Sequence, residues 1–203
     1  MPMGETVVDM IRHGEPLGGR RYRGDGVDDP LSDTGWTQMW SSVGDFAGWD
    51  AIVTSPMQRC RAFAEALGDR LQRPVSVEPR LREVGMGEWE GRSPAEIMQS
   101  EPEAYAAFYR NPVTHRPPGC EPLDAFGRRV AEAFETLLAE QAGSHLLIVA
   151  HAGVIRATLG YVLRSDPAAW YRTRVDNAGV TRFRRGDYGN RLDFHNRTSI
   201  APR

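Results

Sequence analysis

Towards its end the sequence reads His145-Leu146-Leu147-Ile148-Val149-Ala150, a nearly continuous apolar run. A half-exposed strand would alternate apolar and polar residues, and this run does not alternate. Such a run is typical of a strand that is buried on both faces, as strands are in parallel sheets covered by helices. The stretch therefore predicts an α/β fold.

Along the rest of the chain, predicted strands alternate with predicted helices. Strands are predicted for residues 6–11, 51–54 and 75–77, and helices for residues 34–46, 57–71, 123–138 and 154–162. Ser93, Pro94 and Glu96 form a capping-box pattern that predicts one more helix start. Two last strands, near residues 179–184 and 191–195, flank a turn at 187–190. We therefore predict a three-layer sandwich, with a mostly parallel central sheet, helices on both faces and a C-terminal hairpin.

The chain length favours a single domain over residues 1–203, because one hydrophobic core can serve a chain of this size. Stretches rich in proline and glycine, at residues 15–30 and 112–122, are interpreted as surface loops. We expect loops at 16–30 and 105–122 to determine which substrate is accepted.

The composition argues against several partners and locations. The net charge is −2, so no overall field favours binding to nucleic acid or to a membrane surface. No apolar stretch is long enough to span a bilayer, and no signal-peptide pattern is visible, which predicts a cytoplasmic location. Cys60 and Cys120 lack metal-site spacing and are expected to be reduced. A set of arginines is interpreted as an exposed face: Arg172, Arg174, Arg182, Arg184 and Arg185.

Chemically active side chains follow the predicted strands. Ligands bind at the carboxyl ends of the strands in open α/β sheets, so residues that leave these ends should converge. They are Arg12 and His13 after the first strand, Arg59 one turn into the helix after the second, Glu83 after the third and His151 after the fourth.

Phosphoryl transfer is the chemistry that fits this set. The guanidiniums of Arg12 and Arg59 offer planar donor forks that match phosphate oxygens. A neutral His13 can attack phosphorus, and Glu83 can protonate a leaving oxygen and then deprotonate water. Gly14 and Gly153 are expected to let the backbone approach the ligand closely, and the helix after Gly153 directs its N-terminus at the site.

Four short motifs carry a resemblance to a known family. They are Arg12-His13-Gly14-Glu15, Ser55-Pro56-Met57-Gln58-Arg59-Cys60, the stretch from Leu81 to Gly91, and Ala150-His151-Ala152-Gly153-Val154-Ile155-Arg156. In this order and at this spacing they resemble the motifs of the histidine phosphatase superfamily, which includes the cofactor-dependent phosphoglycerate mutases. Within it, the chain most resembles the alpha-ribazole phosphatase-like branch.

The resemblance implies a role for each residue. His13 would be the nucleophile, Glu83 the general acid and base, and Arg12, Arg59 and His151 would hold the phosphoryl group. The loop after Glu15 departs from the family pattern, because it offers no asparagine for the phosphate; we expect Arg20 or Arg23 to bind substrate instead. No metal or cofactor is expected, because no His-Glu-x-x-His pattern is present and a metal ion would oppose the two arginines.

Simpler interpretations and other functions stay open from the sequence alone. His13 in isolation would be a strand-end histidine bonded to backbone, and Glu88 and Glu90 are rivals to Glu83. The favoured function is a phosphatase acting on a small phosphorylated metabolite, with alpha-ribazole phosphate as the named candidate. A phosphoglycerate mutase and a non-catalytic module that binds phosphorylated ligands are the alternatives. The sequence predicts no oligomeric state.

Overall fold

A six-stranded sheet forms the centre of the protein in the computed structural model, which describes residues 4–200. Its strands are β1 (Thr6–Arg12), β2 (Ala51–Thr54), β3 (Val75–Val77), β4 (His145–Ala150), β5 (Val180–Gly186) and β6 (Gly189–Arg197). They lie in the order β3-β2-β4-β1-β5-β6; the first four are parallel, and β5 and β6 form an antiparallel hairpin beside β1. The predicted mostly parallel sheet with a C-terminal hairpin is confirmed.

Six α-helices are present among residues 4–200. They are α1 (Asp33–Val43), α2 (Gln58–Leu71), α3 (Pro94–Ser100), α4 (Pro102–Arg110), α5 (Leu123–Glu140) and α6 (Ala152–Leu163). Short 3-10 helices lie at Pro79–Leu81, Gly87–Trp89 and Pro167–Arg172. The predicted capping box at the start of α3 is present, because the Ser93 hydroxyl and the Glu96 carboxylate each accept the other residue's backbone N–H.

Strand β4 shows why helices cover both faces of the sheet. Leu146 and Ile148 belong to a core with α5 and α6, whereas Leu147 and Val149 belong to a second core with α1 and α2. Because successive side chains of a strand point to opposite faces, one apolar run supplies both cores. The three-layer prediction is confirmed.

Several predicted boundaries were wrong for local reasons. Helix α1 ends at Val43, before Phe46, because Gly44 adopts a positive φ of 52° that ends the helix. The segment predicted as a loop from residue 105 is helical as far as Arg110, in α4. Arg182 is not part of an exposed arginine face, because its guanidinium donates to the fully buried carboxylate of Asp9 at 2.8 Å.

The antiparallel strand β5 brings a further segment to the edge where the parallel strands end. The N–H of Arg12 donates to Gly179 at 3.1 Å, and the N–H of Ala178 donates to the carbonyl of Arg12 at 3.0 Å. The chain that precedes β5 therefore lies beside the end of β1.

Within the described residues, no helix combines the length and the apolar character that a membrane crossing requires.

Candidate active site

The side chains that follow the strands meet in one cleft of about 660 Å³. Its walls include most of the predicted site residues: Arg12, His13, Arg20, Arg23, Arg59, Glu83 and Gly153. His151 is fully buried next to them, with its ring centroid 5.2 Å from that of His13. The structure thus brings the predicted residues together, while their catalytic roles stay predictions.

The imidazole of His13 is held in a single tautomer. Its Nδ1 lies 2.7 Å from the carbonyl oxygen of Gly14, and a carbonyl can only accept, so Nδ1 carries the proton. Burial lowers the pKa of His13 well below its usual value, and the charges of Arg12 and Arg59 lower it further. The ring is therefore neutral at pH 7, with the lone pair on Nε2.

Two guanidiniums accompany His13 in the cleft. Arg12 Nη1 donates to Val175 at 2.7 Å, and the two Nη atoms of Arg59 donate to the carbonyls of Val27 and Gly24 at 3.0 and 3.1 Å. The Nε atom of each is buried and has no acceptor among residues 4–200. A buried N–H without a partner is costly, so each guanidinium holds its place in the cleft wall with one donor unused.

A buried hydroxyl fixes the second histidine. Ser55 Oγ lies 2.7 Å from Nε2 of His151 and accepts the N–H of Met57 at 3.3 Å. The Ser55 hydroxyl therefore links the ring of His151 to the backbone at the start of α2. Burial lowers the pKa of His151 well below its usual value, and the charge of Arg59 adds to this effect. His151 is therefore a neutral hydrogen-bond donor.

The carboxylate of Glu83 is positioned by backbone groups. Oε2 accepts the N–H of Gly153 at 3.2 Å, and Oε1 accepts the N–H of Val84 at 2.9 Å. Glu83 does not leave β3 directly, because the 3-10 helix Pro79–Leu81 intervenes. The glycine at 153 makes room for this carboxylate, since a Cβ there would lie 2.2 Å from Oε1.

Gly14 has a different reason to be glycine from the predicted one. A Cβ at this position would lie 2.2 Å from the carbonyl oxygen of Gly35, at the start of α1. The absence of a side chain therefore lets β1 and α1 pack closely, rather than letting a ligand approach. Gly14 contributes to the site through its carbonyl, which holds His13.

The two arginines predicted to replace an asparagine behave differently. Arg23 is 8% exposed, and its guanidinium donates to the carboxylate of Asp29 and to the carbonyls of Leu17 and Gly19. It therefore organises the loop at residues 17–29, and its charge acts on the site from there. Arg20 is exposed at the wall of the cleft.

Sequence reasoning missed several residues that line the cleft: Tyr22, Tyr109, Arg156, Tyr171, Arg174, Asp176 and Asn177. The strand-end rule was applied only to parallel strands, whereas residues 171–177 reach the cleft because β5 is antiparallel. Asn177 places an asparagine at the wall of the cleft. Arg156 could have been found from its position one helical turn after Gly153.

Glu88 and Glu90, the two rivals to Glu83, have different surroundings from it. Glu90 accepts hydrogen bonds from the N–H groups of Gly26 and Met86 and so holds two loops together, and Glu88 is exposed.

Among residues 4–200, no group of three or more His, Cys, Asp or Glu side chains is arranged so that it could hold a metal ion.

Comparison with known proteins agrees with this geometry. The model of the histidine phosphatase superfamily (branch 1) matches residues 8–198. A bifunctional protein of Mycobacterium tuberculosis is 31% identical over 181 residues, which are 87% of this chain and 49% of that protein. The chain therefore spans about half the length of this relative.

An adenosylcobalamin/alpha-ribazole phosphatase of Escherichia coli is 28% identical over 171 residues, covering 82% of this chain and 84% of that protein. A mycobacterial glucosyl-3-phosphoglycerate phosphatase, solved as a complex with VO3, superposes with a TM-score of 0.82 at 30% identity, over 94% of this chain and 98% of that one. The resemblance noted in the sequence is confirmed. The chain belongs to the histidine phosphatase superfamily, branch 1.

Proposed function

We propose that the chain is a phosphatase that hydrolyses a small phosphomonoester through a phosphohistidine on Nε2 of His13. The observation that carries this proposal is the hydrogen bond from His13 Nδ1 to Gly14, which leaves a neutral ring with its lone pair on Nε2. Relatives named as phosphatases and a neighbour solved with VO3 support the same chemistry.

The first step transfers the phosphoryl group to the protein. The Nε2 lone pair of His13 attacks phosphorus, the bond between phosphorus and the ester oxygen breaks, and Glu83 gives its proton to the leaving alkoxide. Arg12 and Arg59 hold the oxygens whose charge changes in the transition state, and His151 adds a neutral donor. The N-terminus of α6 lies at the same cleft and favours an anion there.

The second step returns the protein to its starting state. Glu83, now a carboxylate, takes a proton from water as the water oxygen attacks phosphorus. The P–N bond breaks, its electron pair returns to Nε2 of His13, and inorganic phosphate leaves. The cleft is larger than a phosphoryl group needs, so it also accommodates the alcohol part of a metabolite. Alpha-ribazole phosphate is the candidate that the family resemblance favours.

The test is to trap the intermediate. Labelled substrate is mixed rapidly with the protein and quenched, and an acid-labile, base-stable adduct on His13 is expected. His13→Ala should form no adduct and release no phosphate, whereas full hydrolysis by this variant would overturn the mechanism. Delivery of the label to an added phosphoglycerate rather than to water would indicate a mutase, and absence of any turnover would indicate a binding module.

A further inference from the structure

Glu83 lies in a segment that the sheet supports only weakly. Strand β3, which precedes it, is an edge strand of three residues, and Val77 at its end is exposed. The 3-10 helix Pro79–Leu81 then separates β3 from Glu83. The hydrogen bonds of 3-10 helices have poorer geometry than those of α-helices. The position of Glu83 therefore depends on contacts with other parts of the fold.

Arg129 on α5 provides such contacts. Its Nη1 donates to the carbonyls of Arg80 and Arg82 at 2.6 and 2.9 Å, and its Nη2 donates to the carbonyl of Glu83 at 3.1 Å. One guanidinium thus binds three carbonyl groups within four consecutive residues. Because the guanidinium is planar and rigid, it fixes these carbonyls relative to one another. The backbone of Glu83 is in this way attached to a long helix of the core.

Glu121 holds Arg129 in place. Its carboxylate accepts hydrogen bonds from Nε of Arg129 at 2.8 Å and from Nη2 at 2.7 Å. With the three carbonyls, these contacts use all five N–H groups that a guanidinium can donate. Glu121 also contacts the chain on the other side of Glu83, because its backbone N–H donates to the carbonyl of Gly85 at 3.2 Å. Arg129 and Glu121 therefore hold the general-acid segment from both ends.

The neighbouring arginine on α5 shows that this arrangement is unusual. Arg128 pairs with Asp124 at 3.1 Å, and the two side chains are 67% and 63% exposed. Exposed pairs of this kind contribute little to stability. The side chains of Arg129 and Glu121 are only 13% and 18% exposed, and the hydrogen bonds of Arg129 connect separate parts of the chain.

We propose that Arg129, held by Glu121, is a positioning residue for Glu83. This inference rests on the proposed function, because it concerns the group that gives its proton to the leaving alkoxide. Arg129 and Glu121 lie outside the lining of the cleft, so their effect on the reaction passes through Glu83. The guanidinium fixes the backbone of the general acid, and the two N–H groups described above then orient its carboxylate.

The test measures how activity depends on the leaving group. The value of kcat/KM, which reports the steps up to release of the alcohol, is measured for an alkyl phosphate and for p-nitrophenyl phosphate. Arg129→Lys keeps the charge but loses the planar fork. A p-nitrophenolate leaves readily without a proton, whereas an alkoxide needs the acid. We therefore expect Arg129→Lys to lower kcat/KM for the alkyl phosphate about tenfold more than for p-nitrophenyl phosphate, a part of the about 100-fold that a general acid contributes.

Two further variants make this result specific. Arg128→Lys is the matched control, because Arg128 is the adjacent, exposed arginine of α5, and the ratio of the two kcat/KM values should not change. Glu121→Gln replaces one oxygen that Arg129 binds with an NH2 group, so it should change the ratio in the same direction as Arg129→Lys. If Arg129→Lys does not fold, Glu121→Gln decides. A general disturbance of the fold would lower both values together and leave the ratio unchanged.

A double variant shows whether Arg129 acts through Glu83. In Glu83→Gln the acid is already absent, so the addition of Arg129→Lys should change the ratio no further. Two independent effects would instead multiply, because their free energies add. A further change in the ratio would show that Arg129 acts elsewhere and would overturn the inference.

A readout without turnover separates this inference from the proposed function. The backbone N–H of Gly153 donates to Glu83, so its proton NMR signal reports whether the carboxylate is in place. This signal should move upfield in Arg129→Lys, as an amide proton does when it loses such a hydrogen bond, and it should stay in Arg128→Lys. In a protein that hydrolyses both esters, an unchanged ratio or an unchanged Gly153 signal would reject the role of Arg129 and leave the phosphatase proposal standing. A signal that moves only in Arg129→Lys, in a protein without turnover, would do the reverse.

Discussion

Glu83 and Gly153 are joined by a hydrogen bond in which Oε2 of the carboxylate accepts the backbone N–H at 3.2 Å. The bond connects the loop after β3 to the first turn of α6, the helix that begins directly after His151. It is possible only because residue 153 has no side chain, since a Cβ would lie 2.2 Å from Oε1 of Glu83.

We therefore expect Gly153→Ala to damage catalysis by displacing Glu83. The added methyl group must push the carboxylate away, and a general acid out of reach loses about 100-fold or more in rate. The measurement is kcat on an alkyl phosphate, alongside the melting temperature. Ala157→Ser, one turn further along α6, controls for small changes in the helix. Activity that falls only in proportion to stability would show that the glycine matters for folding alone.

Sequence analysis predicted the cleft residues that follow parallel strands, and it missed those that reach the cleft from other parts of the chain. Arg12, His13 and His151 lie at the ends of β1 and β4, as predicted, because a run of apolar residues in the sequence is enough to locate a buried strand. The strand-end rule also predicted Glu83, but a 3-10 helix lies between β3 and this residue, so its position in the cleft depends on that helix as well as on β3. The segment at residues 171–177 was missed because strand direction is a property of the whole sheet and is not encoded in local periodicity.

Packing against other parts of the chain explains the remaining differences. Gly14 and Gly153 were interpreted as openings for a ligand, yet each accommodates another part of the protein, Gly35 and Glu83 respectively. Arg23 was predicted to bind substrate, but Asp29 and three carbonyl groups already accept its hydrogen bonds. No rule applied to neighbouring residues could have shown the contacts of Gly14 and Gly153, since these join positions far apart in the chain, whereas the contacts of Arg23 lie within its own loop.

Arg59→Lys should be a severe change although the charge is kept. Arg59 is 1% exposed, and its planar fork donates to the carbonyls of Gly24 and Val27. Lysine cannot reproduce this fork, so kcat/KM should fall by about 30-fold or more, which corresponds to about 2 kcal/mol. The control is Arg61→Lys, an exposed arginine on the same helix that pairs with Glu65. If both variants keep the catalytic efficiency of the unaltered protein, Arg59 does not hold the phosphoryl group.

Activity should not require a divalent metal. Arg12 and Arg59 supply the positive charge that a metal ion would otherwise bring to the phosphoryl oxygens. Dialysis against a strong chelator, followed by assay in chelated buffer, should therefore leave the initial rate unchanged. A large loss of rate that one particular metal restores would contradict this expectation.

Stability should decrease as the pH falls below about 6.5, the usual pKa of histidine. Burial holds the pKa values of His13 and His151 well below this value in the folded protein, so the unfolded chain binds protons first. Each histidine can then contribute a slope of up to about 1.4 kcal/mol per pH unit, with the folded state favoured at higher pH. Denaturant unfolding between pH 5 and 7.5 should show a shallower slope for His13→Gln, and exposed His115→Gln is the control. An identical slope in His13→Gln and the unaltered protein would show that His13 does not contribute.

Glu83→Gln tests which carboxylate moves the proton. Glutamine keeps the size and the acceptor of Glu83 but cannot give a proton to an alkoxide. The first half-reaction with an alkyl phosphate should therefore slow by about 100-fold or more, within the usual range for a lost general acid. A p-nitrophenolate leaves readily without a proton, so phosphorylation by p-nitrophenyl phosphate should slow much less. Burst kinetics separates this step from hydrolysis of the phosphohistidine.

The pattern across leaving groups is more informative than the loss of activity itself. A variant that merely disturbs the cleft would slow both substrates alike, whereas loss of a general acid must slow the poorer leaving group more. Glu88→Gln is the matched control, because Glu88 is an exposed glutamate in the same loop. Glu90 is a poorer control, since its carboxylate holds the N–H groups of Gly26 and Met86 and its loss would disturb the loops. If Glu88→Gln shows the leaving-group dependence and Glu83→Gln does not, the proton donor is Glu88, and the bond from Glu83 to Gly153 is structural.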